Sequence, residues 1–209
     1  MEIIDALKWR YATKRFDPNR KISEQDLKKL MQAVNLTASS FGLQHYRVWV
    51  IGDAEVKQKL RAASYDQPQL TECSHVFVFA AKTGIEPAYV DDYMHRIATT
   101  REQPLEKVQG FGEYIKGSLA SKSEEFVLSW NQRQAYMALS TLLAAAAELR
   151  IDNCPMEGFE VEQYDEILGL REQGLTATVI ATVGYRSAED ATQHHQKVRL
   201  PLEEMFTVV

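Results

Sequence analysis

The sequence predicts an α+β sandwich, a small sheet flanked by helices. Helix-period segments stand before, between and after a few strand-like runs instead of alternating with them regularly, which disfavours a doubly wound fold. No GxGxxG follows any strand-like run, and no GxxxxGK[ST] occurs, so neither a dinucleotide fingerprint nor a P-loop is present. At 209 residues the chain fits one domain over 1–209, long enough to bury a core without staples.

Residues 2–9 place Ile3, Ile4 and Leu7 on one apolar face of a short helix. Ser23 caps a second helix, with Asp26 three positions on as a relative of the capping box. Leu27, Leu30, Met31 and Val34 follow at helical spacing until Ser39, Ser40 and Gly42 break the pattern. The alternating run 46–51, YRVWVI, is rich in β-branched and aromatic residues and predicts a strand. A helix over 53–63 leads to a loop containing Pro68. The clearest strand is 74–82, whose nearly continuous apolar run predicts a central place in the sheet.

Residues 86–123 are polar, aromatic and glycine-containing, and predict two helices around Pro104. They are either a surface pair or, over 100–120, a lid across a site. Residues 124–149 predict one long helix, buried on most of its sides through the run Ala135 to Ala147. IDNCP is short and extended, 160–168 is a helix closed by Gly169, and 176–184 is the last strand. The tail 186–209 begins polar and ends in LPLEEMFTVV, too apolar to stay free; a partner subunit is its natural cover.

Composition narrows the function. A net charge of −5 argues against nucleic acid or an anionic membrane as partner. Cys73 and Cys154 lie far apart without CxxC spacing, which disfavours a zinc knuckle or dithiol pair and fits a reducing cytoplasm. MEIIDALKWR lacks the basic start and long apolar run of a secretory signal, and 135–147 is too short to span a bilayer. A cytoplasmic location is expected. His194 and His195 are adjacent and point different ways, no HExxH occurs, and no metal is expected. No GxSxG elbow is present.

Against this acidic background the cations are grouped. Arg10, Lys14 and Arg15 stand in WRYATKRF, and Lys197 and Arg199 in QKVRLP at the far end. Cations gathered from both ends point to one small anionic ligand, read here as the phosphate of FMN. A buried dianion needs cations and several hydrogen bonds, and the arginine fork meets two oxygens at once. Arg10 and Arg199 are the candidates. Lys14, four residues from Arg10, is the candidate cation beside N1 and O2 of the flavin ring, where it would stabilise the reduced form over the oxidised one. The alternative for each is an ordinary exposed charge. TASSFGLQHY offers hydroxyls, a glycine and Gln44 to a ring edge or ribityl chain, or is simply a helix-terminal turn. CPMEGF is a tight turn whose backbone N–H groups can point at a ring nitrogen. Glu157 has no second carboxylate beside it, so paired-acid catalysis is not expected.

These pieces together resemble the nitroreductase family of FMN-dependent NAD(P)H oxidoreductases, in its oxygen-insensitive nitroreductase and flavin reductase branch. The resemblance is carried by DALKWRYATKRFD, ASSFGLQHYRVWVI, SHVFVFAAKT, PMEGF and GLREQGLTATVIATVGYRSAEDATQHHQKVRLP. It implies a small, mostly antiparallel central sheet and an intertwined homodimer, with residues 186–209 as the arm that wraps the partner. Arg10, Tyr11, Ala12 and Lys14 match the N-terminal flavin contacts. Ser39, Ser40, Gly42 and Gln44 match the loop that reaches the flavin from the other subunit. Pro155, Met156, Glu157 and Gly158 match the turn on the ring, with the Glu157 amide facing N5. Lys197 and Arg199 match the closing phosphate contacts. Asp66 and Gln69 fall where some relatives carry asparagine and lysine; Gln69 can still bond the ring edge, whereas a charge on Asp66 close to the ring would disfavour reduction. Phe111 and Tyr114 are the lid aromatics. The implied activity is a ping-pong transfer from NADH or NADPH to a small-molecule acceptor, nitroaromatic or quinone. The alternatives are flavin, dihydropteridine or enone reduction on the same fold, or a non-catalytic FMN-binding or storage module.

Overall fold

The computed structural model describes residues 2–209. Four strands form one sheet: β1 (Tyr46–Ile51), β2 (His75–Lys82), β3 (Asp152–Met156) and β4 (Leu175–Gly184), in the order β1-β2-β4-β3. Every neighbouring pair is antiparallel. The two apolar runs that predicted buried strands, β2 and β4, are the two central ones. This is the small antiparallel sheet flanked by helices that the sequence predicts.

Side chains alternate between two buried faces. Val76, Val78 and Ala80 enter one core, Phe77 and Phe79 the other. The β2–β4 register shifts between Phe79, opposite Val179, and Ala80, opposite Ala177, so Thr178 is an extra residue. This bulge reverses the parity of β4. Ala177 and Ile180 face the first core, while Val179 and Ala181 face the second.

The first face is closed by α3 (Ala54–Ala62), which brings Leu60, and α8 (Val161–Leu168), which brings Tyr164. The second is closed by α2 (Glu24–Asn35) with Leu30 and Val34, and by α7 (Glu124–Glu148) with Ala135, Leu139 and Leu142. Side-chain caps start three of these helices, α2, α3 and α7: Ser23 Oγ accepts from Asp26 N at 3.1 Å, Asp53 Oδ1 from Val56 N at 2.9 Å, and Ser123 Oγ from Phe126 N at 3.2 Å. Gly169 closes α8 at φ 61°, a left-handed position that glycine adopts without strain.

The excursion predicted over 86–123 is a helix pair, α5 (Pro87–Thr100) and α6 (Glu106–Ala120). It has its own core of Val90, Met94, Ile97, Val108 and Ile115, joined by Leu43. Where the sequence predicts a loop at Pro68, one turn of helix, α4 (Gln69–Glu72), follows the proline. Helix α7 is less buried than its apolar run predicts: Tyr136 and Met137 are exposed. Alanines and leucines fill the sheet-facing side and leave the opposite stripe bare. At the two ends, α1 (Ile3–Trp9) exposes Ile3, Ile4 and Leu7. The tail around α9 (Leu202–Met205) exposes Leu200, Leu202, Met205, Phe206 and Val208. Among the described residues, no helix is long and apolar enough to cross a membrane.

Candidate functional site

The chain ends are zipped together. Segment 10–17 runs along edge strand β3, where Ala12 bridges Asn153 in parallel and Thr13 N donates to Asn153 O at 3.2 Å. On its other side it meets the chain leaving β4. Asp17 N donates to Tyr185 O at 2.8 Å, Phe16 bridges Arg186, and Ser187 N donates to Arg15 O at 2.9 Å. Backbone pairing of 185–187 with 15–17, and further along the Lys197 side chain on Leu7 O, bring the cations of both ends to one place.

Arg10 is half-buried and donates from Nε to Asn153 Oδ1 at 3.2 Å. The Lys197 ammonium reaches Leu7 O at 2.7 Å and also Arg10 O. The Arg199 guanidinium donates to its neighbour's carbonyl, Val198 O, at 2.6 Å. Burial lowers the pKa of Arg10, and Arg199 adds to the shift; burial lowers Lys197, and Arg10 and Arg199 add to it. These cations therefore sit close enough to repel one another. Lys14 faces the same region: burial raises the Cys154 thiol, while Lys14 and Arg10 pull it back down.

At the far end of β3, Pro155 and Met156 are the last strand residues and Glu157 and Gly158 form the turn. Glu157 is exposed, yet Tyr136 of α7 donates to its Oε1 at 2.6 Å. Burial first and then this hydrogen bond push the Tyr136 phenol up to about 12. Gln67 Nε2 holds Gly158 O at 2.9 Å. Asp66 is exposed at φ 58° and paired with Arg61 at 2.9 Å, while Gln69 is buried at the start of α4.

The 39–44 loop sits on α5 and the opposite flank of α7. Ser40 N donates to Gln134 Oε1 at 2.9 Å, and Trp130 Nε1 donates to Ser40 Oγ at 3.2 Å. Ser39 Oγ accepts from Gln44 N at 2.9 Å, and the Gln44 amide donates to Asn35 O at 2.7 Å. Gly42, at φ 74°, lies so close to Tyr93 that a Cβ there would fall 2.2 Å from the Tyr93 hydroxyl. Phe41 adopts φ 56°, an uncommon conformation for a side chain of that bulk. Its ring meets Phe111, Tyr114 and Trp130 edge-on at centroid distances of 6.1, 6.2 and 6.0 Å. The two expected lid aromatics thus face this loop. His45 is fully buried and stacks on Trp130 at 4.1 Å, and burial lowers its pKa to about 4.

The structure thus gathers Arg10, Lys14, Lys197 and Arg199 in one zone and Ser39, Ser40, Gly42, Gln44, Phe111 and Tyr114 in another. Gln134 and Tyr136, which touch the loop and the Glu157 turn respectively, are two positions apart on α7 and point about 200° apart around it. Sequence reasoning missed Phe41, His45, Trp130, Tyr136, Asn153 and Asp190. Aromatic rings within the hydroxyl- and glycine-rich TASSFGLQHY were the available signal for the first two.

The chain matches the nitroreductase family over residues 7–185. YfkO of Bacillus subtilis (strain 168) is 33% identical over 196 residues, covering 88% of this chain and 89% of YfkO. SERP2086 of Staphylococcus epidermidis is 34% identical over 205 residues, covering 94% and 92%. Both proteins carry NAD(P)H nitroreductase in their names. Among solved structures, YdfN of B. subtilis superposes with a TM-score of 0.88 at 21% identity, covering 99% of this chain and 98% of that one. A nitroreductase from Exiguobacterium sibiricum in complex with FMN superposes at 0.84 and 19% identity, covering 100% and 98%. The matched span and these identities show that this chain belongs to the nitroreductase family.

Proposed function

We propose that the protein is an FMN-dependent oxidoreductase that passes electrons from NADH or NADPH to nitroaromatic or quinone acceptors by a ping-pong cycle. The observation that carries the reading is the mutually repelling cluster of Arg10, Lys197 and Arg199. Its donors find backbone carbonyls and one amide oxygen; beyond burial, Arg199 lowers Arg10, and both arginines lower Lys197. A phosphate dianion relieves that repulsion and accepts the hydrogen bonds. The residues present therefore fit FMN.

When bound, the flavin supplies the redox chemistry. Arg10, Lys197 and Arg199 hold its phosphate, with Tyr11 and Ala12 contributing through backbone. Lys14 holds a positive charge beside the ring edge and favours the reduced state. The turn Pro155–Gly158 presents the Glu157 amide to the ring. Asp66 and Gln69 flank it, with Arg61 offsetting the Asp66 charge. Ser39, Ser40, Gly42 and Gln44 close the site from a second copy of the chain. The opposed directions of the Glu157 turn and the 39–44 loop around α7, a helix about 10 Å across, support a site made by two subunits. So do the bare apolar stripes of α1, α7 and the tail, which wants a partner's cover. Residues 186–209 are the exchanged arm, and 100–120 the lid over the acceptor.

The test is an absorption spectrum of the purified protein before and after NADH or NADPH. Bound yellow flavin that bleaches, and recovers on adding a quinone, is expected. Flavin that binds and never bleaches would leave a binding module instead. Lys14→Ala should slow bleaching in stopped flow more than it weakens FMN binding; equal rates would remove Lys14 from the ring.

A further inference from the structure

We infer that Asp190 is the residue that positions Lys14, and through it the cation cluster, for the cofactor; the inference rests on the FMN reading above. Asp190 stands in SAEDATQ, a stretch with the composition of a solvated turn. In the fold it is 2% exposed. Its two oxygens do different jobs. Oδ1 serves its own turn, accepting from Thr192 N at 3.0 Å and from the Thr192 hydroxyl. That is an ordinary cap for the short helical turn Ala191–His194. Oδ2 has nothing to do with that turn. It collects donors from the opposite end of the chain: Lys14 N at 2.8 Å, Arg15 N at 3.2 Å and the Tyr11 hydroxyl at 2.9 Å.

A cap needs one oxygen. The second converts Asp190 into a clamp on segment 11–15, joining residues 176 apart in sequence. Burial alone would raise this carboxyl, but the hydrogen bonds from Thr192, Lys14, Tyr11 and Arg15 outweigh it and hold it at about 2, so it remains a carboxylate. The carboxylate takes the amide of Lys14 and leaves the side chain unengaged: among the described residues the Lys14 ammonium is in no ion pair. A carboxylate paired to that ammonium would neutralise it. One bonded to the backbone fixes where the ammonium starts while its charge stays available to a ligand. Because Asp190 also lies seven residues before Lys197, the same clamp sets where the closing cations begin.

The test measures FMN affinity and the reduction potential of the bound flavin in Asp190→Asn, in Lys14→Ala and in the double variant. Asparagine keeps the size and loses one acceptor oxygen to an NH2 that faces donors. FMN affinity is expected to fall about tenfold or more, with the bound flavin harder to reduce. That potential shift should largely vanish in the Lys14→Ala background, because interacting residues are not additive. A folded Asp190→Asn protein with wild-type affinity and potential overturns the inference, as does a shift that persists undiminished without Lys14. Should Asp190→Asn fail to fold, Tyr11→Phe removes one donor from Oδ2 and is expected to move affinity and potential in the same direction by a smaller step; no movement overturns the inference. Wild-type protein that takes up no FMN overturns the cofactor reading itself, an outcome distinct from a variant that matches the wild type.

Discussion

The clamp joining residues 10–17 to 185–199 and the loop 39–44 are both candidate cofactor surfaces, built from opposite materials. The clamp is made of backbone pairing and charge. Asn153, Asp152 and Asp190 tie down its strands through carboxylate and amide oxygens, and its cations are left facing one another. The loop is made of aromatic packing and unusual backbone, with positive φ at Phe41, Gly42 and Gln44 and rings on three sides of Phe41. A charged surface of the first kind suits an anion held tightly. An apolar wall of the second kind suits flat molecules that come and go. On the proposed function, the clamp would supply affinity and the loop selectivity.

Removing residues 200–209 should break the comparison at the clamp and have the largest effect. The truncated protein keeps Arg199 but loses Leu200, Leu202, Met205, Phe206 and Val208, all exposed in a single chain. If the arm wraps a partner, the truncated protein sediments as a monomer and loses FMN on desalting, because the clamp is left open to water without its partner. Far-ultraviolet circular dichroism should be nearly unchanged, since the tail adds only one turn of helix and no strand. A truncated protein that remains dimeric and yellow would place the interface elsewhere.

Acid should break the other side first. His45 is neutral in the folded protein, its pKa lowered by burial from 6.5 to about 4. In the unfolded chain it takes up a proton near its ordinary value. Between those two values the unfolded state binds more protons, so stability is fully present above about pH 6.5 and is lost as pH falls towards 4. The largest loss from this group is on the order of 3 kcal/mol, at 1.36 kcal/mol per pKa unit. Asp190 acts in the next window down, from its ordinary 3.8 to about 2. Its lowered pKa contributes stability above the upper value that is lost as pH falls through the lower one. Urea unfolding of the apoprotein at pH 7.5 and 4.5, compared with His45→Phe, checks the assignment. The phenyl ring keeps the stack on Trp130 and cannot be protonated, so the variant should lose less stability over that interval. Parallel losses in both proteins would clear His45.

The contrast between clamp and loop also explains what the sequence made legible. Charges at fixed positions announce themselves: Arg10, Lys14, Lys197 and Arg199 stood out because an acidic chain had grouped its cations. Strands β2 and β4 were equally plain, since a continuous apolar run buried on both faces leaves few alternatives. Asp190 was hidden because a carboxylate among small polar residues reads as solvated until its distant partners are known. Tyr136 was hidden inside an apolar helical run, where only the direction of each residue around the axis separates the covered side from the bare one. Phe41 was hidden for another reason: Ser and Gly neighbours describe a turn, and nothing local says that the ring at its centre will meet α6. The closure of α5 and α6 over the loop is a tertiary fact.

Phe41 offers the smallest expected effect and the sharpest test of the assigned division. Its ring contributes three edge-on aromatic contacts, each worth about 0.5–1.5 kcal/mol beyond its buried area in a well-packed site. Against that stands the cost of holding a bulky residue at φ 56°, about 1–3 kcal/mol. Phe41→Gly removes both, because glycine populates that region freely, and the net change in stability should stay within about 1–2 kcal/mol. The functional change should be selective. FMN affinity stays near wild type because the clamp is intact, and the rate of flavin bleaching by NADH or NADPH changes little. KM for bulky aromatic acceptors should shift by several-fold relative to a small quinone, since Phe111 and Tyr114 lose the ring that holds them over the loop. Steady-state kinetics on a size series of quinones reads this directly. An equal shift for every acceptor, or a loss of flavin matching that of a clamp variant, would erase the distinction between the two surfaces.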